Sequence, residues 1–344
     1  MNTLKYGLNP DQRAWYAFEG DPFFTVTHGE PGYINMLDAL GAWQCVRELK
    51  ESTGLKSSAS FKHCSPAGVG VHEELCESYV RARGADPKSS FGDFVALSDP
   101  LDLKTAQKIK SQVCDGIICP GGEEKALELV KSKKKGKFIV IKVDSTKDPK
   151  TFDQTRIICG VILKQETSKK VFDANLPLDV KVAAIACKYC QSNSVAFVNG
   201  PYMGLAAGGQ NRVDILKLAQ EKYKMSALRH HPYVLNLPFK SCFTKQDKVN
   251  IVTDYLEGKN VQDSMEYKVE SLSDDDIKTY LDDLGPVSIA SDAFFPFPDA
   301  IEAIDVSVKY LIQPSGALRD QEVEKICKAK DITRFLIDFR TFMH

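Results

Sequence analysis

The chain has 344 residues, 43% hydrophobic and 26% charged, with a formal net charge of −1. That length supports one large core or two domain-sized ones, and the near-neutral charge gives no electrostatic basis for binding duplex nucleic acid or an anionic membrane. No apolar run approaches the ~20 residues of a membrane helix, and "MNTLKYGLNPDQR" has no apolar signal region, so a cytoplasmic protein is expected.

Asn35 is the expected N-cap of a first helix, in which Leu37, Leu40, Trp43, Val46 and Leu49 recur at helical spacing and which Gly54 closes. The next apolar run ends at Lys62-His63 and opens into Pro66-Ala67-Gly68-Val69-Gly70, read as a small-residue turn with room for a ligand. A lysine and a histidine at such a junction can donate and accept protons near neutral pH, since burial lowers a lysine pKa and histidine titrates there already. The plain alternative is an exposed strand end. Further on, "DLKTAQKIKSQVC" predicts a helix, "GIIC" a buried strand, "EEKALELVKSKKK" a helix and "KFIVIKV" a strand. The lysines of 131–137 suit that helix's C-terminal dipole better than a nucleic-acid patch.

The two halves carry a weak repeat. Ala96-Leu97-Ser98-Asp99 matches Ile289-Ala290-Ser291-Asp292, and Gly116-Ile117-Ile118-Cys119-Pro120 matches Tyr310-Leu311-Ile312-Gln313-Pro314. Each match is followed by an acidic helix and a terminal strand, Phe138-Ile139-Val140 or Phe335-Leu336-Ile337. Two tandem α/β domains, 1–160 and 161–344, are the simplest account. The loosest join is the polar stretch from Asp144 to Arg156, with a boundary nearer 165 as the alternative. The second half holds an insertion at 213–286, whose acidic helix has Ser273 as its expected N-cap.

The ten cysteines are expected as free thiols. Cys187 and Cys190 have metal-ligand spacing but fall in a helical pattern as small core residues, and His72-Glu73-Glu74 lies far from them. No metal site is expected.

The blocks "LKYGLNPDQ", "GYIN", "SFKHCSPAGVGV", "RARGADPKSSFGDFVALSD", "QSNSV", "GGQNRVD", "LRHHP", "SDAFFPFPDAI", "QPSGA" and "FRTFMH" occur in an order that resembles the AICAR transformylase family. In that family this is the formyltransferase portion of a bifunctional purine-synthesis enzyme. The resemblance implies two cytidine-deaminase-like domains, no zinc, and formyl transfer from 10-formyltetrahydrofolate to the 5-amino group of AICAR. It implies that His63 takes the proton from the amine, that Lys62 assists protonation of the leaving nitrogen and that Asn193 contacts the formyl oxygen. Nucleotide contacts carry over to Lys5, Tyr6, Asn35, Gly92, Asp115, Arg212 and Arg340, with Phe342 near the base. Folate contacts carry over to Val213, Phe294, Asp299, Ser315 and Gly316. A homodimer with shared sites is implied, as is a monovalent cation in some members.

Lys5 stands where the family has arginine, Ala300 stands where it has asparagine, and the connection from Gly70 to Arg81 is short. A stand-alone transformylase without a cyclohydrolase domain is the expectation. Two other readings are a zinc-dependent deaminase on the same fold and a non-catalytic nucleotide- or folate-binding module.

Overall fold

The computed structural model describes residues 1–147 and 153–344. Short strands β1 (Asn2–Leu4) and β2 (Ala14–Tyr16) pair with each other, and β3 (Phe24–His28) leads into helix α1 (Tyr33–Thr53). There follow β4 (Lys56–Lys62), β5 (Ser65–His72), α2 (Leu75–Gly84), β6 (Asp93–Leu97), α3 (Leu103–Lys110), β7 (Cys114–Cys119), α4 (Glu124–Lys131) and β8 (Ile139–Val143). Strands β9 (Gln154–Ile158) and β10 (Val161–Gln165) form a hairpin of their own. After α5 (Leu178–Lys188) come β11 (Val195–Asn199), β12 (Tyr202–Ala206), α6 (Arg212–Leu228), α7 (Pro232–Leu235), α8 (Lys245–Leu256) and α9 (Asp274–Asp283). The chain finishes with β13 (Val287–Ser291), α10 (Asp299–Glu302), β14 (Val308–Pro314), α11 (Asp320–Ala329) and β15 (Thr333–Ile337).

The two large sheets are mixed, so the fold is α/β. The six-stranded sheet runs β5-β4-β6-β7-β8-β3 and the five-stranded sheet β12-β11-β13-β14-β15. In each, two antiparallel pairings precede two parallel ones, β4 and β11 taking the same place. The repeated residues fall on equivalent strands: Ala96 and Leu97 on β6 against Ile289 and Ala290 on β13.

Alternation along these strands separates two apolar layers. Phe94 and Ala96 of the first sheet join Ala196, Val198, Ala290 and Ile312 of the second in one cluster, filled between the sheets by α1 and α5. Val95 and Leu97 face the opposite way, onto α2, α3 and α4, while Val195 and Phe197 face α6. The segment after α6 adds a satellite cluster around Val234, Ile251 and Tyr255, and Ser273 caps α9 by accepting from Asp276 N at 3.1 Å.

Two local expectations are corrected. Asn35 is not the N-cap of α1, which begins after Gly32; it is the third helical residue, and its Oδ1 accepts from Gly32 N at 2.9 Å. Gly54 does close the helix, at φ 73. The stretch from Pro66 to Gly70 is strand β5, not a turn. Its glycines are needed for packing: a Cβ on Gly68 or Gly70 would lie 2.3 Å from the carbonyl of Ala82 or Ser78 in α2. Within the expected join from Asp144 to Arg156, residues 148–152 lie outside the described residues, and β9 begins at Gln154. Among the described residues no helix is long and apolar enough to cross a membrane.

Candidate active site

Lys62 ends β4 and pairs with Ser65 at the start of β5, so His63 and Cys64 form a two-residue loop. Their φ angles are 55° and 62°, in the left-handed region that residues with a Cβ seldom adopt. Asp38 of α1 holds the loop in place, its Oδ1 accepting from Cys64 N at 2.7 Å. His63 stands exposed at the tip, while Asp38 beneath it is only 6% exposed. Lys62 is anchored too, its Nζ donating to the Phe91 carbonyl beside Gly92, which has a φ of 77°.

Asp38 sits in a strained electrostatic position. Burial pushes its carboxyl up to about 6; the Cys64 N–H and His63 pull it down, and Asp115 and Asp93 push it further up. Asp93 is fully buried against Arg83 at 2.5 Å and Ser60 at 2.6 Å, and burial raises it despite that arginine. Asp115 is the second residue of β7 and pairs with Lys134 at 2.5 Å. Thus Lys134, read from sequence only as part of a helix end, reaches a candidate site residue. Its neighbour Lys133 serves a different helix end from the one expected, donating to the carbonyls of Ile109 (2.9 Å) and Gln112 (2.6 Å) at the C-terminal end of α3.

Lys5 and Tyr6 are drawn to the start of α1 by two backbone bonds, Lys5 N to Pro31 O and Tyr33 N to Tyr6 O, each 3.0 Å. Lys5 Nζ lies 5.6 Å from the Tyr6 ring centre. Asn35 and Asp38 follow three residues apart on α1, hence on one face. The helix therefore lines up Tyr6, Asn35, Asp38 and the His63 loop.

A second group surrounds Asn193, just before β11. Arg212, the first residue of α6, bonds Asn193 Oδ1 at 2.5 Å and Ser291 Oγ at 2.8 Å, and makes a short ion pair with fully buried Asp292. Its charge is therefore matched inside the protein. Asn193 Nδ2 donates to the carbonyls of Gly209 (2.8 Å) and Gln210 (3.3 Å). The C-terminal segment lies across the same place: Ser192 N donates to Met343 O at 3.0 Å and Thr341 N to Asp292 O at 3.1 Å. Exposed Arg340 stacks its guanidinium 5.4 Å from the centre of the Phe342 ring. A bond joins the two groups, Gln191 N donating to Ser65 Oγ at 3.3 Å, which sets the His63 loop beside the segment holding Asn193.

The folate-side residues stand together less tightly. Val213 follows Arg212 and donates its N–H to the N-cap Asn211 at 2.9 Å. Half-buried Phe294 and exposed Asp299 follow β13; exposed Ser315 and Gly316 follow β14, their N–H groups held by Ile337 O (2.9 Å) and Asp320 (3.0 Å). Among the described residues no hydrogen bond or ion pair joins Asp299, Ser315 or Gly316 to Lys62, His63 or Asn193. Ala300 is fully buried in the outer cluster of the second sheet.

Asp38 and Asp292 are site residues that spacing did not disclose. An acid inside the apolar pattern of α1 was the available signal for Asp38, and the repeated Ser-Asp pair that for Asp292. Cys187 and Cys190 are buried with their thiols directed at the Ala290 and Ala186 carbonyls, 3.4 Å and 3.3 Å away. Among the described residues no three His, Cys, Asp or Glu side chains gather to hold a metal ion.

A family profile described as AICARFT/IMPCHase bienzyme matches residues 1–222. The chain belongs to that family. Among its relatives is the bifunctional purine biosynthesis protein PurH of Limosilactobacillus reuteri strain DSM 20016, 26% identical over 364 residues. The PurH protein of Lactobacillus delbrueckii subsp. bulgaricus is 28% identical over 367 residues. Each alignment covers 99% of this chain but 59% of the relative, so the chain spans less than two thirds of the proteins it matches. The AICARFT/IMPCHase match takes in Lys62, His63, Asn193, Arg212 and Val213, and ends before Phe294, Asp299, Ser315, Gly316, Arg340 and Phe342.

Proposed function

We propose that this protein acts in purine biosynthesis as a formyltransferase, moving a formyl group from 10-formyltetrahydrofolate to the 5-amino group of AICAR. The observation that carries this reading is the His63 loop, fixed by Asp38 beside Lys62 and bonded through Ser65 to the Asn193 segment, in a member of this family. In the reaction a C–N bond forms between the amine and the formyl carbon while the bond from that carbon to N10 of the folate breaks. His63 takes the proton the amine loses. Lys62, whose ammonium has protons beyond the one given to Phe91 O, assists protonation of N10.

Lys5, Tyr6, Asn35, Gly92, Asp115, Arg340 and Phe342 are the nucleotide side of this reading, and Arg212 shapes it by holding Asn193. Asn193 reaches the formyl oxygen by exchanging one of its two carbonyl partners. The exposed carboxylate of Asp299, which among the described residues accepts only from Ala300 N at 2.8 Å, suits the amino group of a pterin, and Phe294 offers a ring face nearby. Each large sheet with its helices is read as a cytidine-deaminase-like domain, spanning 1–160 and 161–344. The protein is proposed to work in the cytoplasm as a homodimer with shared sites, with no zinc step in its chemistry.

The test is spectroscopic detection of tetrahydrofolate release with AICAR as acceptor. His63→Ala is expected to abolish turnover while nucleotide binding persists. No activity from well-folded dimer, or an unchanged kcat in that variant, overturns the assignment.

A further inference from the structure

Strands β13 and β14 run parallel and side by side. The loops that leave them therefore lie together at the carboxyl edge of the second sheet, where open α/β sheets take their ligands. The first loop carries Phe294 and leads to Asp299; the second carries Ser315 and Gly316. A contact joins them: the guanidinium of Arg319 lies 5.1 Å from the centre of the Phe297 ring.

Both partners of this contact are set up locally. Phe297 is exposed and stands between Pro296 and Pro298, whose fixed φ angles stiffen the loop. The second loop is pinned by Asp320, which accepts from Gly316 N at 3.0 Å and Ala317 N at 3.1 Å. The Arg319 side chain is itself exposed, and among the described residues its other partner is Glu322 at 3.7 Å, an open surface pair with little hold on it. From Asp292 to Asp320 the only other basic residue is Lys309, near the opposite end of β14.

The pterin ring of the formyl donor presents a 2-amino group and a ring N–H beside a carbonyl oxygen at position 4. The Asp299 carboxylate serves the two donors but not the oxygen, which needs a donor of its own. Ala300 is apolar and fully buried, so it supplies none. The backbone N–H groups of Ser315, Gly316 and Ala317 are already committed within the protein. Arg319 is the charged donor of these two loops, and packing on a ring face leaves its N–H groups available.

We propose that Arg319 is a specificity-determining residue of the donor site, its guanidinium donating to the 4-oxygen of the pterin while Asp299 accepts from the 2-amino group. This rests on the functional reading above and names the contact by which that site selects a 4-oxo ring over a 4-amino one. A 4-amino ring would turn a donor toward a donor, and binding it would leave the guanidinium without this acceptor.

The test uses two probes, folic acid and aminopterin, which differ at position 4 in carrying an oxygen or an amino group. Binding of each to the whole protein is measured by calorimetry. The parent is expected to hold folic acid more tightly than aminopterin. Arg319→Leu, with unchanged circular dichroism, is expected to weaken folic acid about tenfold and leave aminopterin as it was. A parallel loss of both probes marks a merely structural arginine and overturns the assignment, as does a loss of neither. A parent that binds neither probe and releases no tetrahydrofolate with AICAR overturns the functional reading as well; a parent that turns over, with the same probe preference in Arg319→Leu, overturns this proposal alone.

Discussion

Replacing Asp38 by asparagine separates two roles of one side chain. Its carboxyl ordinarily ionises at 3.8 and is pushed up to about 6 in the folded protein. The folded state therefore holds this proton more tightly than the unfolded state does. Below about pH 4 both states are protonated and the group costs nothing; the cost grows as pH rises from about 4 to 6 and is complete above that. A rise from 3.8 to about 6 corresponds to about 3 kcal/mol. Asparagine keeps an oxygen to accept from Cys64 N but carries no charge. Asp38→Asn is thus expected to be more stable than the parent by up to about 3 kcal/mol at pH 8, the gain vanishing toward pH 4. Asp38→Ala leaves the Cys64 N–H without its partner and should lose about 1–3 kcal/mol relative to the asparagine variant. Urea unfolding followed by circular dichroism at pH 4, 5, 6 and 8 measures both differences. A gap between parent and Asp38→Asn that does not change with pH would refute the electrostatic account. A charge kept where it weakens the fold is accounted for by the His63 loop that it faces and fixes.

Arg212→Leu strands the carboxylate of fully buried Asp292 and should cost about 3–5 kcal/mol in urea unfolding, much of it recovered when Asp292→Leu is added; a loss below about 1 kcal/mol contradicts the pairing. Removing residues 340–344 deletes Arg340 and Phe342 and the backbone bonds to Ser192 and Asp292. Turnover should fall at least about tenfold, a barrier rise of about 1.4 kcal/mol, while the thermal midpoint moves by only a few degrees; normal kinetics would count against the assignment. Exposed Cys159 and Cys242 should react rapidly with a thiol reagent in native protein, whereas Cys187 and Cys190, whose thiols burial pushes well up, should wait for unfolding. Rapid labelling of either buried cysteine contradicts their place in the core.

Much of the framework was legible in the chain. Helical spacing located α1, apolar runs located β7 and β8, and the repeated Ser-Asp motif anticipated sheets with matching strand order. What misled was local chemistry with two explanations. Proline and glycine after Ser65 read as a turn, although the glycines serve the approach of α2, a contact visible only once the helix is in place. Asn35 has the right side chain for an N-cap, yet the bond from Tyr33 N to Tyr6 O lets the helix start earlier. The site was less legible than the fold. Cys64 lies 26 residues from Asp38, and Arg212 lies 80 from Asp292, separations over which no periodicity carries information. Roles for single residues came from the order of whole blocks, because a lysine beside a histidine has too many ordinary explanations.

The apolar layer shared by α1 and α5 sets a rule for dividing the molecule. Its members come from both sheets, so, although each half has an outer cluster of its own, neither covers this layer without the other. Fragments 1–147 and 153–344 made as separate chains should each be insoluble alone and recover a native complex when co-expressed. The backbone connection between them is then dispensable for the fold, and the two halves behave as subunits that happen to be translated together.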